Sequence, residues 1–152
     1  MKRRIKGEKN RMSLCLPAIS VNEGVARAAV AVFCAQLDPG ATELADIKCA
    51  VSEAVTNCIV HAYRGRRGMI YITVSLLDGD TVRVVIRDTG CGIADVRRAR
   101  EPLFTTDIGN ERSGMGFTVM ENFMDRLSVR SREGCGTVVV MTKQLGRSRE
   151  EE

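Results

Sequence analysis

The period of the hydrophobic pattern changes near residue 65, and this change restricts the chain to folds that combine helices with antiparallel strands. Residues 42–62 carry apolar side chains at helical spacing and predict a long helix capped by Thr42. Residues 69–77 and 81–88 are instead rich in Val, Ile and Thr, and Asp78-Gly79-Asp80 between them is typical of a hairpin turn. A helix followed by a hairpin therefore forms the centre of the predicted fold.

The flanking segments predict further helices and strands on both sides of this centre. Ser20 and Glu23 have the spacing of a capping box, and the helix that they begin runs to about Leu37, before the helix-breaking Asp38-Pro39-Gly40. The remaining predicted elements are, in chain order, a strand at 13–19, a long segment with glycines at both ends at 89–113, a helix at 115–124, and strands at 127–132 and 137–142.

This order of elements predicts the fold class. It is typical of an α+β protein, a two-layer α/β sandwich in which helices cover one face of a mixed, mainly antiparallel sheet. A connection of about 25 residues is unusual in so small a domain, and such loops often act as lids over a binding site. A chain of 152 residues is long enough for one such domain with a buried core.

Charge is distributed unevenly along the chain and sets the expected domain boundaries. Residues 1–11 hold six basic side chains and one acidic one, a net charge of +5, which leaves −1 for the rest of a chain with a formal charge of +4. We therefore expect a disordered basic arm at 1–11, a folded domain at 12–145 and a frayed charged tail at 146–152. Direct binding to nucleic acid is disfavoured, since the basic excess lies in the arm. An alternative is that translation starts at Met12.

The cysteine pattern and the lack of long apolar runs indicate a cytosolic protein without a membrane segment. The six cysteines contain no C-x-x-C pair and His61 is the only histidine, so reduced thiols are favoured over disulfides or a zinc site. Cys34, Cys49 and Cys58 lie in apolar helical stretches, where cysteine packs as a small hydrophobic residue. No apolar run reaches the ~18 residues of a membrane helix, and the basic N-terminus is not followed by a signal-peptide core.

Polar residues on the long predicted helix are the first candidates for a functional site. Glu53, Asn57 and His61 recur every four residues, and the first two face away from the main apolar stripe. A solvated helix face is the simplest interpretation. Because Cys49 and Val60 share that side, a carboxylate and an amide among apolar residues also fit the wall of a cleft.

The segment Asp88-Thr89-Gly90-Cys91-Gly92 supplies a second group of candidates. It ends a predicted strand, where Gly90 and Gly92 allow a ligand to approach the backbone and Asp88 can accept a hydrogen bond from an exocyclic amine. Taken alone, the motif is better explained as an ordinary strand-ending turn. A dinucleotide fingerprint is disfavoured, because Asp95 occupies the position of its third glycine.

The segment Arg112-Ser113-Gly114-Met115-Gly116 precedes the third predicted helix. Gly114 and Gly116 would expose backbone N–H groups at a helix N-terminus, where anions are favoured. Ser113 caps the helix or binds phosphate, and Arg112 offers a guanidinium to a phosphate group. Each motif alone fits an ordinary structural role, but two glycine turns, a lid-length loop and a carboxylate–amide helix together indicate a nucleotide site.

In their order along the chain, these motifs resemble those of the superfamily that contains the ATPases of gyrase and the histidine kinases. The matching segments are 53–57 for its N-box, 88–92 and 114–116 for its two glycine boxes, 101–106 for the phenylalanine box of the lid, and 134–137 for its last box. Residues 51–57, 102–106, 112–117 and 120–125, and the first helix, are most similar to the serine kinases that act as sporulation anti-sigma F factors. General-stress anti-sigma kinases are the nearest alternative.

The resemblance implies ATP and Mg²⁺ as cofactors and a role for each matching residue. Glu53 would be the general base, Asn57 would hold Mg²⁺, and Asp88 with Thr137 would recognise the adenine amino group. The residues implied in closing over or contacting the phosphates are Gly90, Gly92, Gly114, Gly116, Thr105, Thr106, Arg112 and Ser113. Asp107 departs from the family, which often has a basic residue after the two lid threonines, so more of the phosphate contact is expected from Arg112.

The resemblance also implies protein partners. They are a sigma factor, which is inhibited, and an anti-anti-sigma protein, which is phosphorylated on serine; a homodimer is expected as well. Arg27, on the outward side of the first helix, is a candidate partner contact, although a solvated arginine is the simpler interpretation. A histidine autokinase is disfavoured because His61 lies within the N-box helix. A nucleotide-gated binding module without catalysis stays open as an alternative.

Overall fold

The computed structural model describes residues 3–102 and 115–146. Five strands form one sheet: β1 (Glu8–Pro17), β2 (Met69–Leu77), β3 (Thr81–Asp88), β4 (Arg126–Arg132) and β5 (Gly136–Gln144). Four α-helices accompany them: α1 (Val21–Cys34), α2 (Ala41–Asn57), α3 (Val96–Ala99) and α4 (Gly116–Phe123). Within these ranges, no helix has the length and apolar character that crossing a membrane requires.

The sheet has the strand order β1-β2-β3-β5-β4 and places its core on one side. Each neighbouring pair of strands is antiparallel, so the predicted mainly antiparallel sheet shows no parallel pair in the described residues. Alternate residues of β2 and β3 are buried, among them Ile72, Val74 and Ile86, and these pack with the apolar faces of α1, α2 and α4. Helices on one face of a sheet form the α/β sandwich that the sequence predicted.

The bounds of the central hairpin and of the first helix agree with the sequence. Strands β2 and β3 begin and end at the predicted residues. Helix α1 continues as a 3₁₀ turn, Ala35–Leu37, and stops where Asp38 adopts a left-handed conformation with φ 51°. Pro39 and Gly40 follow, so the chain cannot continue as a helix beyond this point.

The first strand corrects the predicted boundary of the basic arm. It begins at Glu8 rather than Ser13, and it pairs with β2 as the edge strand of the sheet. Glu8 accepts hydrogen bonds from Arg11 Nε at 2.7 Å and from Ser75 Oγ at 2.8 Å, and Ser75 is fully buried. The last four residues of the predicted arm therefore belong to the sheet. Glu8, the first residue of the strand, supplies the hydrogen-bond acceptor that the buried hydroxyl of Ser75 needs.

The predicted helix caps are wrong in detail. Ser20 does precede α1, but its side chain makes no capping hydrogen bond, and Glu23 binds Arg27 and Ser52 instead. Helix α2 is capped at Gly40 rather than Thr42, and the buried Glu43 accepts the Gly40 backbone N–H at 2.8 Å. Glu43 also accepts the backbone N–H of Gly146 at 2.6 Å, so the first residue of the predicted tail is held against α2.

Helix α2 ends differently from the predicted helix of residues 42–62. It is α-helical to Asn57 and continues as a π-helical turn, Cys58–Ala62. All six cysteines are free; Cys34 and Cys58 are buried as expected, whereas Cys49 is exposed and does not belong to the core. Burial raises the pKa of the Cys34 thiol to about 12. The short helix α3 was not predicted within the segment 89–113.

Candidate functional site

The last turns of α2 meet the first residue of α4, and this contact brings Glu53, Asn57 and Gly116 together. A Cβ atom on Gly116 would lie 3.2 Å from Glu53 Oε2 and 3.3 Å from Asn57 Oδ1. Such distances are tighter than ordinary van der Waals contacts, so the absence of a side chain at this position allows the helix start to stand over both polar groups. Two predicted motifs that are about 60 residues apart in sequence are thus adjacent in space.

The π-helical turn positions the next part of the site. The carbonyl oxygen of Ala62 accepts the backbone N–H of Cys91 at 2.9 Å. A Cβ on Gly90 would lie only 2.4 Å from that oxygen, so the close approach of the two backbones requires glycine. π-helical turns occur mainly as single interruptions of α-helices, frequently at functional sites. Here the turn joins the end of α2 to the loop that follows β3.

The same loop is anchored at its other end by the β4–β5 hairpin. The carbonyl oxygen of Cys91 accepts the backbone N–H of Gly134 at 2.7 Å. Gly92 has a positive φ of 72°, and a Cβ there would lie 2.1 Å from the carbonyl oxygen of Arg132. The first glycine motif is therefore held between α2 and the last hairpin.

Asp88 is a buried carboxylate at the end of β3. Its Oδ1 accepts the backbone N–H of Gly90 at 2.9 Å, and its Oδ2 lies 3.5 Å from the thiol Sγ of Cys58. Burial raises the pKa of Asp88, while hydrogen bonds from Gly90, Cys58 and Thr137 and the charge of Arg87 lower it; the net direction is upward. The carboxyl group also raises the pKa of the Cys58 thiol, after burial, which is the larger cause.

Thr137 lies opposite Asp88 on β5 and is held by a residue that the sequence did not single out. The Oγ atoms of Ser131 and Thr137 are 2.8 Å apart, and Ser131 Oγ also donates to the carbonyl oxygen of Gly136 at 2.9 Å. The backbone N–H of Ile93 donates to Ser131 Oγ at 2.7 Å. Ser131 thereby connects the buried threonine to the loop that carries the first glycine motif.

Tyr63 is a second residue that the sequence did not single out. Its hydroxyl donates to the carbonyl oxygen of Met69 at 2.6 Å and accepts the backbone N–H of Thr89 at 2.9 Å. It fixes the residue that follows Asp88 against the start of β2. Its position directly after the N-box helix gave no indication of this role, because its partners Met69 and Thr89 lie 6 and 26 residues further along the chain.

These residues surround one cleft of about 770 Å³ between α2, α4 and the end of the sheet. Its lining includes six of the predicted site residues and the helix residue His61: Glu53, Asn57, His61, Asp88, Gly92, Gly116 and Thr137. Gly90 is not a lining residue and packs against Ala62. Arg64, Arg98 and Glu133 also line the cleft and were not predicted.

The remaining predicted site residues are Arg27 and a group that the structure does not describe. Thr105, Thr106, Arg112, Ser113 and Gly114 lie outside the described residues, as does Asp107. Arg27 belongs to a different surface, on α1. It donates to Glu23 at 2.9 Å and to Ser52 Oγ at 3.3 Å, so its guanidinium is held between two helices.

The groups in the cleft suit a nucleotide with a hard divalent cation. Carboxylate and amide oxygens, here those of Glu53 and Asn57, are ligand types that Mg²⁺ accepts. The missing Cβ of Gly116 leaves room beside them at the start of α4, where backbone N–H groups favour anions. Asp88 and Thr137, which also line the cleft, present hydrogen-bonding groups at a site shaped by buried apolar residues such as Val139.

Comparison with known proteins identifies the family of the chain. Residues 17–143 match the family model of the histidine kinase-like ATPase domain. A protein from Caldanaerobacter subterraneus subsp. tengcongensis named anti-sigma F factor is 54% identical over 140 residues, which are 92% of this chain and 97% of that relative. An anti-sigma F factor from Bacillus thuringiensis is 52% identical over 141 residues, covering 92% of this chain and 96% of the relative.

Solved structures resemble the fold at lower sequence identity. The structure of the RsbU and RsbW domains of a Mycobacterium tuberculosis protein superposes with a TM-score of 0.67 at 20% identity, covering 91% of this chain and 33% of that one. A histidine kinase domain from Erythrobacter litoralis gives a TM-score of 0.58 at 21% identity, with 84% and 63% covered. Both similarities concern the arrangement of helices and strands.

Proposed function

Because the chain belongs to the anti-sigma F factor family of histidine kinase-like ATPases, we propose that it binds and inhibits a sporulation sigma factor and regulates that binding with ATP. In the same proposal it phosphorylates an anti-anti-sigma protein on serine. The observation that carries the proposal is the contact of Gly116 with Glu53 and Asn57. It places a carboxylate and an amide beside the helix N-terminus at which phosphates would be bound.

Different residues of the cleft are assigned to the adenine and to the phosphates of the nucleotide. Asp88, buried at the end of β3, accepts the exocyclic amino group of adenine, and Thr137 assists from the neighbouring strand. Asn57, the last residue of α2, would hold Mg²⁺. When bound there, the cation neutralises phosphate charge, which is a principal requirement of phosphoryl transfer. The lid residues Thr105, Thr106, Arg112, Ser113 and Gly114 belong to the proposal as phosphate contacts.

Glu53 is the residue to which we assign the chemistry on the protein substrate. It lines the cleft one helical turn before Asn57, on the same face of α2. As general base it would accept the proton of the attacking serine hydroxyl. Removing such a base typically lowers the rate by about 10²–10⁴-fold without removing the groups that bind the nucleotide.

The protein partners are proposed to meet the chain near α1. Arg27 is a candidate contact because its guanidinium is fixed by Glu23 and Ser52 and still has an exposed side chain, 42% accessible to solvent. A preorganised guanidinium loses little conformational entropy when it binds a carboxylate of a partner. The proposal includes a cytoplasmic homodimer that exchanges the sigma factor for the anti-anti-sigma protein.

The test of the proposed function compares the unaltered protein with Glu53→Gln. Each is incubated with Mg²⁺, radiolabelled ATP and a candidate anti-anti-sigma protein, and ATP affinity is measured separately by calorimetry. We expect label on a serine of the substrate, a rate about 10²–10⁴-fold lower in the variant, and similar ATP affinity in both. Glu121→Gln, an exposed glutamate on α4, is the control and keeps full activity.

Two outcomes would contradict the proposal in different ways. Normal phosphorylation by Glu53→Gln would remove Glu53 from the reaction. ATP binding without transfer to any anti-anti-sigma protein would leave a nucleotide-gated binding module, in which the cleft controls the affinity for the sigma factor and no phosphate moves.

A further inference from the structure

The face of the sheet that the helices leave uncovered is rich in arginine. Strand alternation and the pairing registers place six guanidinium side chains on it: Arg11 of β1, which is ion-paired with Glu8, and five on β3 and β4, namely Arg83, Arg87, Arg126, Arg130 and Arg132. Four of the five are exposed and Arg83 is half-buried, whereas the alternate residues of β3, such as Val84 and Ile86, point into the core. Within residues 3–102 and 115–146, none of the five arginines forms an ion pair.

Three of these arginines surround a hollow at one end of the face. Arg87 on β3 and Arg130 on β4 both pair with Val138, so they lie on either side of β5. Arg132 pairs with Gly136, and a Cβ there would lie 2.2 Å from the carbonyl oxygen of Asp88, so glycine lets β5 approach the end of β3 closely beside this hollow. The hollow is open and has a volume of about 290 Å³.

Of the residues that the structure describes, Asp88 is the acidic one that borders the arginine hollow; it interacts with the charge of Arg87 but forms no ion pair with the arginines. Its oxygens are engaged with the Gly90 backbone N–H and the Cys58 thiol, on the side of the nucleotide cleft. Among the described residues no acid is ion-paired with these three arginines, and such a local excess of positive charge is one that an anionic partner would compensate.

The edge of the same face is able to accept another strand. Among the described strands, β4 pairs with β5 alone, so the backbone groups along its other side have no strand partner. On β4 the residues that face outward are Arg126, Ser128, Arg130 and Arg132, which alternate with half-buried ones. An extended segment that adds to such an edge gains backbone hydrogen bonds, and its alternate side chains reach the neighbouring outward residues.

We propose that this open face binds an extended acidic segment of a protein partner, which adds to β4 and places alternate carboxylates beside the arginines. Carboxylates recognise guanidinium groups in a bidentate, charge-assisted manner. Successive outward side chains on a strand are about 6.8 Å apart, so the segment would carry Asp or Glu at every second position. This inference concerns a surface beyond the proposed kinase reaction and does not depend on it.

Protection against aggregation and binding of nucleic acid each account for less of the arginine pattern. Charged residues on an edge strand hinder aggregation, which accounts for the arginines of β4 but not for Arg83 and Arg87, two strands away from that edge. Nucleic acid would use free aromatic rings for stacking. On this face the ring of Tyr71 is covered by the guanidinium of Arg87, which lies 4.2 Å from the ring centre.

The experiment measures the binding of a fluorescein-labelled peptide with five alternating Thr-Glu repeats by fluorescence anisotropy. The full chain is compared with Arg87→Glu combined with Arg130→Glu. The control, Arg66→Glu combined with Arg67→Glu, makes the same change of net charge in an exposed loop between α2 and β2. We expect about tenfold or greater weakening in the first variant and less than about twofold in the control, since a few cross-strand ion pairs account for a tenfold change.

Further measurements test whether the peptide binds as an added strand on β4. A peptide of the same composition with its glutamates in one block is expected to bind more weakly, and amide exchange of β4 is expected to slow when the alternating peptide is bound. Arg130→Glu alone, on the exposed edge strand, replaces the double variant if that variant does not fold, as judged by circular dichroism.

Several results would overturn the inference. Equal weakening in both double variants would show attraction by net charge alone, and tighter binding of a ten-nucleotide oligo-dT would assign the face to nucleic acid. Peptide binding that appears only after removal of residues 147–152, which include three glutamates, would make the chain's own tail the occupant. Loss of ATP-dependent phosphorylation is scored separately and bears on the nucleotide cleft instead.

Discussion

Asp88 is subject to two opposing requirements. An ionised carboxyl is the stronger acceptor for the adenine amino group, yet burial raises the pKa of Asp88, and the hydrogen bonds and the charge of Arg87 only partly offset that effect. In the folded protein Asp88 therefore binds a proton more tightly than in the unfolded chain. Its contribution to stability increases as pH falls through the folded pKa, while its ability to recognise adenine decreases over the same interval.

Asp88→Asn should separate these two effects. Asparagine keeps an oxygen for the Gly90 backbone N–H and removes the buried charge, so we expect an unfolding midpoint that is equal or higher. ATP affinity is expected to fall about 10- to 150-fold, the range for a hydrogen bond to a charged group. Calorimetric titrations at successively lower pH should show that the ATP affinity of the unaltered protein falls as the pH falls. The ATP affinity of the variant should stay constant over the same range.

Asp80→Asn is the matched control for the Asp88 variant. Asp80 is exposed in the β2–β3 hairpin with φ 51°, a conformation that asparagine also tolerates. It should leave both ATP affinity and the unfolding midpoint unchanged. A strongly lowered midpoint in Asp88→Asn would show instead that the ionised carboxylate stabilises the fold.

Ser131 is expected to position Thr137 for nucleotide binding. Its hydroxyl is the shared partner of the Thr137 hydroxyl and the Ile93 backbone N–H. Ser131→Ala leaves these groups without that partner, and we expect a stability loss of about 1–3 kcal/mol and a several-fold lower ATP affinity. Urea unfolding and calorimetry provide the two measurements. Ser128→Ala, on the exposed side of the same strand, is the control, and an equal effect there would refute the assignment.

The start of α4 makes a prediction about packing between helices. Gly116→Ala places a methyl group 3.2–3.4 Å from the polar atoms of Glu53 and Asn57, which must shift to accommodate it. We expect phosphorylation to fall by at least tenfold, because a displacement of well under 1 Å matters at a positioned catalytic group. The fold should tolerate the change, since alanine is a better helix former than glycine.

Gly24→Ala is the control for this helix substitution. Gly24 lies within α1, and a Cβ there would meet only the Arg27 guanidinium, at 3.8 Å. Here alanine should raise the free energy of unfolding by about 0.5–1 kcal/mol and leave phosphorylation unchanged. Full activity in Gly116→Ala would show that the proximity of α4 to Glu53 and Asn57 is not needed for transfer.

The elements that the sequence predicted well are those whose pattern is local. The alternation of β2 and β3 and the Asp-Gly-Asp turn between them define their bounds residue by residue. Strand β1 was predicted too short because Glu8 and Arg11 belong to a run of charges, and the buried Ser75 that Glu8 binds lies 67 residues away. The π-helical turn after Asn57 changes the backbone hydrogen bonds without interrupting the apolar spacing, so periodicity did not reveal it.

The same distinction applies to the site. Glu53, Asn57, Asp88 and Gly116 each lie in a short motif whose residue types suggest a chemistry, and the fold places all four around one cleft. Ser131 lies in a strand whose pattern shows only that it faces inward. Its importance depends on contacts with Ile93, 38 residues earlier, which no local spacing indicates.

The N-terminal strand determines how the whole domain is delimited. Gly7 accepts the backbone N–H of Asp78 at 2.8 Å, and β1 then pairs along the full length of β2. Ser75, in the middle of this contact, has its hydroxyl bonded to Glu8. The sheet therefore includes residues that composition alone assigned to a separate arm.

Deletion of residues 1–11 is expected to destabilise the domain. It removes the start of the edge strand and leaves the buried Ser75 hydroxyl without its acceptor, which alone costs about 1–3 kcal/mol. Urea unfolding should show a lower midpoint, whereas deletion of residues 1 and 2 should have little effect. An unchanged midpoint in the longer deletion would mean that the strand contributes nothing to stability before Met12.

Asp88 and Thr137 border both the nucleotide cleft and the arginine hollow, so at this end of the sheet the same two residues separate the cleft from the hollow. A genetic screen for altered nucleotide binding and a screen for altered partner binding would both recover Asp88 and Thr137. Substitutions at these two positions would affect both kinds of binding. Val85 and Val140, paired in the middle of the open face, border neither the cleft nor the hollow. They are the places to attach a fluorescent reporter that follows a docked partner without disturbing the nucleotide.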